Sequence, residues 1–356
     1  MRTITSLIPR FVYLPRLTGP QTAYRLAATG SFRTCPQRGI ALITVMLAVA
    51  LTASIVATLI ADQQMDIRRS TNILHGGKAY EYARAVELWA TRVLARDLMI
   101  EEAQIDHPGE NWAMALPPTD IEGGALAGRI EDLQGRFNLN NLVPDDAGED
   151  GQPNRNTGWR ERLQRLLARC DLAPGLAGSI VDWLDADGER TYPQGAEDYD
   201  YLGREVPYRA ANAPMADPSE LAWVSGFAFD DYRCLAPFVT ALPGFTPINV
   251  NTAPVAVLTA LAAGITDGVA ELLVERRSLA PYESVAGFLD ALREMGVSVS
   301  GTGPDGLDET ALAVGSRYYL VIADIRVGNI RMRLFSRLER RDDGSVRVLY
   351  RARGAL

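Results

Sequence analysis

Residues 40–61, IALITVMLAVALTASIVATLIA, run for 22 positions without a charged side chain. At about 1.5 Å per residue, a helix of this length reaches roughly 33 Å and crosses a hydrocarbon core of about 30 Å. Six arginines and no acid occupy residues 1–39, and acids follow the run. This asymmetry orients the start inside and the bulk of the chain outside. A buried core helix is disfavoured, because soluble cores rarely use so long an unbroken apolar segment. A cleaved secretory signal would end a shorter apolar region in a small-x-small site. Ala48-Val49-Ala50 has that pattern, but the apolar run continues past it.

Composition narrows the chemistry. Beyond residue 39 the chain holds 30 basic against 44 acidic side chains, which argues against a nucleic-acid binder with a basic footprint. His75 and His107 are its two histidines and Lys78 its one lysine, so His-based triads, multi-His metal centres and lysine chemistry have almost no material. No CxxC pair suggests zinc, and three cysteines are too few for a disulfide scaffold. A non-enzymatic protein is expected.

Gln37-Arg38-Gly39 stands immediately before Ile40. A basic leader ending in Gly, then an apolar helix that continues as an amphipathic one, resembles a type IV prepilin or pseudopilin. The resemblance implies cleavage between Gly39 and Ile40 by a prepilin peptidase, with the helix kept in the mature protein. Members of that family usually carry Glu at the fifth mature position, and this chain has Thr44 there. In the family that carboxylate neutralises the terminal amine of the subunit above. An unpaired buried charge costs several kcal/mol, so Thr44 suits a subunit with nothing above it. Beyond the span, Tyr82, Val86, Trp89 and Val93 give one apolar stripe on a helix reaching about residue 102, with Gly76-Gly77 expected to loosen it midway.

Residues 103–127 read as loop, with Pro108, Pro117-Pro118 and Gly123-Gly124 as breakers. Residues 128–143 read as a β-hairpin around Gln134-Gly135, with Ile130 and Phe137 inward. The pattern is then helical to about residue 315: helices are expected over Glu161–Cys170 and Pro174–Asp185, and Asp217-Pro218-Ser219-Glu220 opens another as N-cap, N1 proline and N3 Glu. From Tyr318 the period is two, with a turn at Asp342-Asp343-Gly344. The β segments on either side of the helical block can form one antiparallel sheet. The expected fold is α+β: a pilin-like N-terminal helix on an antiparallel sheet, with an all-α domain of helix-hairpin-helix or SAM-like type inserted in that sheet. Its expected parts are a leader (1–39), a membrane-spanning part (40–61), the pilin-like helix with the first strands (62–143), the insertion (144–315) and the last strands (316–356).

This architecture, with DWLDADGERTYPQGAEDYDY (182–201), DPSELAWVSGF (217–227) and PINVNTAPVAVLTAL (247–261), resembles the type II secretion system protein K family, the largest minor pseudopilins. The resemblance implies a tip complex with minor pseudopilins I and J, H being a further candidate, in which the bulky domain caps the filament. It also implies a single-pass inner-membrane anchor, a periplasmic globular part and bound calcium. Seven carboxylates and one arginine fall within residues 182–200, a set that must be solvated or share a cation. Trp183 and Gln194 stand where an EF-hand needs its first Asp and last Glu, so the loop is not an EF-hand. Asp185, Asp187, Glu197 and Asp198 are the expected ligands of a structural calcium ion, with Asp182 next.

INVNTAPVAVLTALAAGITDGVAELLVERR (248–277) reads as helix, a Gly264-Ile265-Thr266 turn and helix. Helix-hairpin-helix modules grip DNA phosphates through helix N-termini, but here the turn holds no cation and Asp267 adjoins it. A structural hairpin is expected, packed through Val255, Leu258, Leu261, Leu272 and Leu273, with Asn249 and Asn251 bonding backbone groups at the turn into its first helix. The rival readings are a membrane-anchored periplasmic nucleic-acid binder and a hydrolase using paired carboxylates. Cys35 lies in the leader; Cys170 and Cys234 form either a bridge or two buried thiols. In cells containing the prepilin peptidase, Gly39→Ala should leave the leader in place. A mature mass identical to wild type would refute the pilin assignment.

Overall fold

The computed structural model describes residues 40–100, 104–143, 155–298, 307 and 309–354, so Gly39 and the rest of the leader lie outside it. Helix α1 spans Ile40–Ile100 without a break at Gly76-Gly77, contrary to the expected loosening. Each glycine costs about 1 kcal/mol in a helix, and the tightly packed residues that follow offset this. Of the described residues, those from Ile40 to Met65 belong to one unit and those from Asp66 onward to another. In the first unit, the window apolar enough to cross a membrane buries none of its surface. There the Thr44 hydroxyl donates to the Ala41 carbonyl at 3.0 Å, and Thr52 and Thr58 likewise bond carbonyls one turn back. Their polar groups are thereby satisfied within the helix itself, as an apolar medium requires.

In the second unit, strands β1 (Leu116–Ile121), β2 (Gly124–Asp132), β7 (Tyr318–Val327), β8 (Ile330–Arg340) and β9 (Val346–Arg353) form an antiparallel sheet in that order. Alternation divides β7 cleanly. Tyr319, Val321, Ala323, Ile325 and Val327 face α1, whereas Tyr318, Leu320 and Ile322 face Phe335 and Leu242 on the other side. The buried stripe of α1 is Ala79, Ala83, Val86, Ala90 and Leu94. Of the expected stripe, Val86 is buried, while Tyr82, Trp89 and Val93 flank it. Alanines bring the helix axis close to the sheet, and opposite Val86 stands Gly128, where a Cβ would come within 2.5 Å of Val86 Cγ1. Glu87 accepts from the Ser336 hydroxyl at 2.6 Å and from Arg351 at 2.7 and 2.9 Å. Burial alone would raise its pKa, but these bonds hold the carboxyl below its usual range.

The first hairpin lies elsewhere than expected. β1 and β2 turn at Glu122-Gly123, where Gly123 has φ +83°, and Gln134-Gly135 is instead where the chain leaves the sheet. Pro117 and Pro118 fit because β1 is an edge strand with an irregular register there. Between β2 and β7 the chain builds a helical head. Phe137 joins the core of the head, while Ile130 joins that of the sheet.

The head contains β3 (Phe137–Asn138), α2 (Arg155–Arg169), α3 (Leu176–Leu184), α4 (Asp198–Leu202), α5 (Phe229–Leu235), β4 (Val239–Thr240), β5 (Ile248–Asn249), α6 (Val255–Leu261), α7 (Asp267–Leu279), α8 (Val285–Glu294) and β6 (Leu312–Ala313). Asp217 and Glu220 cap reciprocally as expected, but Pro218–Trp223 is a 3₁₀ segment rather than an α-helix. Leu272 is exposed; Leu258, Leu261 and Leu273 are buried. Cys170 and Cys234 form a disulfide that links the end of α2 to α5.

The joint between head and sheet is polar and buried. Asn249 is fully enclosed and donates to the Asp106 carbonyl, Asp132 Oδ2 and Ser316 Oγ at 3.0, 3.1 and 2.9 Å. Its Oδ1 accepts from Asn251 N, and Asn251 exchanges hydrogen bonds with the backbone of Tyr282. Both asparagines therefore reach beyond the turn at α6 and hold separate segments together. On the helix side, Gly128→Ala should destabilise the protein by about 1–3 kcal/mol through overpacking. Adding Val86→Ala should recover part of that loss in denaturant titrations; strictly additive losses would show that the two residues do not touch.

Candidate cation site in the acidic loop

Helix α3 ends where Asp185 turns to an extended conformation, and the chain then loops to α4. Three carboxylates converge: Asp185, Asp187 and Glu197 each offer an oxygen, all within 4.8 Å of one another. Asp185 and Glu197 are buried and Asp187 is exposed. Asp185 Oδ1 and Glu197 Oε1 are buried and meet no hydrogen-bond donor. Burial first, and then the neighbouring Asp187 and Asp182, pushes the Asp185 carboxyl up to about 6. Burial again, followed by Asp182, Asp185, Asp187 and Asp198, pushes Glu197 up to about 7. Without a cation, this cluster keeps its charge only at a cost.

Several of the expected ligands also bond within the loop: Asp187 Oδ1 accepts from Glu189 N at 2.7 Å. Asp182 is fully buried and accepts from Thr191 N through both oxygens, at 3.0 and 3.2 Å. It winds the loop so tightly that a Cβ on Gly195 would lie 2.2 Å from Asp182 Oδ2. Asp198 accepts from Ala210 N and pairs with Arg209, both at 3.0 Å. Neither belongs to the converging trio of Asp185, Asp187 and Glu197. The nearby cations are engaged as well, Arg190 with Asp200 and Arg209 with Asp198. Trp183, Tyr201 and Tyr208 stack edge-on or tilted behind the loop, and Arg204 lies over both tyrosines. A hard cation taking carboxylate, carbonyl and water oxygens at about 2.3–2.6 Å fits such a trio. At the α6–α7 turn, Asp267 occupies the first turn of α7 and pairs with Arg169. A carboxylate thus stands where a phosphate would approach.

A long helix on an antiparallel sheet, with a helical head grown out between two neighbouring strands, defines a pilin-type subunit with an inserted domain. Models of type II secretion system protein K match residues 135–244 and 248–310. Type II secretion system protein K of Pseudomonas aeruginosa is 41% identical over 323 residues, covering 89% of this chain and 93% of the relative. That of Aeromonas hydrophila is 33% identical, covering 89% and 97%. A chain in the crystal structure of the GspK-GspI-GspJ complex from the enterotoxigenic Escherichia coli type 2 secretion system matches with TM-score 0.67 and 27% identity, over 81% of this chain and all of that one. This chain belongs to the type II secretion system protein K family.

The raised carboxyl values give a signed expectation. In the cation-free protein, the folded state binds more protons than the unfolded state between about pH 4.5 and 7, so stability falls as pH rises through that window. Calcium should flatten the slope, and chelation at pH 7.5 should lower the melting temperature of residues 62–356. A melting curve indifferent to calcium at every pH would contradict the assignment.

Proposed function

We propose that this chain is a minor pseudopilin that ends the type II secretion pseudopilus and caps it in a complex with minor pseudopilins I and J. Residues 40–61 anchor it in the inner membrane, and the unit from Asp66 onward works in the periplasm. The observation that carries this reading is the head itself, seated between sheet neighbours β2 and β7 and bonded to the sheet through Asn249, Asp132 and Ser316. A folded domain held in one orientation can bar the addition of another subunit; a flexible appendage could swing aside. Thr44 fits the same position, since a terminal subunit has no amine above it to neutralise. The solved GspK-GspI-GspJ complex, one chain of which is similar to this one, supports the I and J assignment.

The role is structural rather than catalytic. Asp185, Asp187 and Glu197 would hold a calcium ion, which neutralises buried charge and fixes the α3–α4 loop without moving a proton or an electron. Asp182 sets the loop's path through Thr191, and Asp198 ties α4 to Ala210 and Arg209. To test the proposal, the full-length chain is expressed together with minor pseudopilins I and J and purified through a tag on the chain. A stoichiometric ternary complex is expected; recovery of the tagged chain alone under mild detergent would overturn it.

A further inference from the structure

We infer that Asp97, Asp106 and Glu110 form a second divalent-cation site, at the joint between α1 and the sheet. The site is remote in sequence from the acidic loop and independent of the proposed role at the filament tip. Asp97 lies in the last turn of α1, and Asp106 and Glu110 lie in the segment between α1 and β1. Each offers a carboxylate oxygen, all within 4.8 Å of one another, and Asp106 and Glu110 are buried.

Arg340 faces two of the three carboxylates. Arg340 on β8 donates to Asp97 Oδ2 at 2.8 Å and to Asp106 Oδ2 at 2.5 Å. Asp106 also accepts from Ser316 N at 2.7 Å and from the Tyr319 hydroxyl at 2.5 Å. Glu110 Oε2 accepts from His107 N at 2.8 Å and from the Trp112 indole. Glu110 Oε1, on a side chain only 6% exposed, meets no partner.

A dication would compensate carboxylates that are drawn together in a buried place. Geometry points the same way. Glu110 Oε1 is left without a donor while oxygens of Asp97 and Asp106 lie close by. Metal–oxygen bonds of about 2.3–2.6 Å place ligand oxygens up to about 5 Å apart across the ion, which spans the observed cluster. An ion here would pin the end of α1 to the chain entering β1, opposite Arg340 and Tyr319.

Equilibrium dialysis of calcium against the full-length chain in detergent micelles tests this directly. Glu110→Gln should bind one ion fewer per chain than wild type, and Asp185→Asn/Glu197→Gln should lose a different ion. The combined variant should lose both. If the loop variant keeps its full count while Glu110→Gln loses one ion, the joint site stands and the loop assignment falls. Where near-UV circular dichroism shows Glu110→Gln to be misfolded, Asp97→Asn decides, because its side chain sits at the rim on a helix. A wild-type calcium count in whichever of Glu110→Gln and Asp97→Asn folds would overturn the inference.

Discussion

The structure depends on one long-range strand pairing. β2 hands the chain to the head at Asp132 and β7 takes it back at Tyr318, and these strands are hydrogen-bonded neighbours over their whole length. Loop closure over so long an excursion costs entropy that grows only slowly with length, and the head's own core supports the excursion. What fixes its orientation is the buried polar knot of Asn249, Asp132, Ser316 and Asp106. A buried polar group without a partner costs about 1–3 kcal/mol. Any other seating of the head would therefore strand several such groups at once. Apolar contacts alone would tolerate sliding; this joint does not.

The helix beneath that joint meets two solvents with one backbone. Its first part shows lipid-compatible side chains all round and folds its hydroxyls back on itself, while its later part turns a narrow alanine stripe to the sheet. Glu87 and Asp97 then fasten it by charge to Arg351 and Arg340, on the two strands at the far side of the sheet. From Asp66 onward, helix and sheet consequently form a single scaffold on which a head can be held still.

Much of this was legible in the sequence. The uncharged run and the charge asymmetry before it identify the anchor, and the period-two pattern after Tyr318 identifies β7, β8 and β9 with their Gly344 turn. The first hairpin was hidden because β1 holds two prolines and β2 begins with small residues that carry little strand preference, so tertiary pairing with β7 decides their state. The acidic loop announced itself by charge density, but sequence could not tell a cation ligand from a carboxylate serving a backbone amide. Asp182 with Thr191, Asp187 with Glu189 and Asp198 with Ala210 each serve a backbone amide. The Asp97, Asp106 and Glu110 cluster left no mark, since no charge run contains all three and Arg340 arrives from the opposite end of the chain.

As proposed above, a head locked to a pilin scaffold makes this chain the last subunit of a filament. Electron microscopy of assembled pseudopili, with an electron-dense label on a cysteine-free tag at this chain's C-terminus, locates it directly. One label at one end of each filament is the predicted result. Labels spaced along the shaft would contradict the account, because a subunit bearing this head could not then be a terminus.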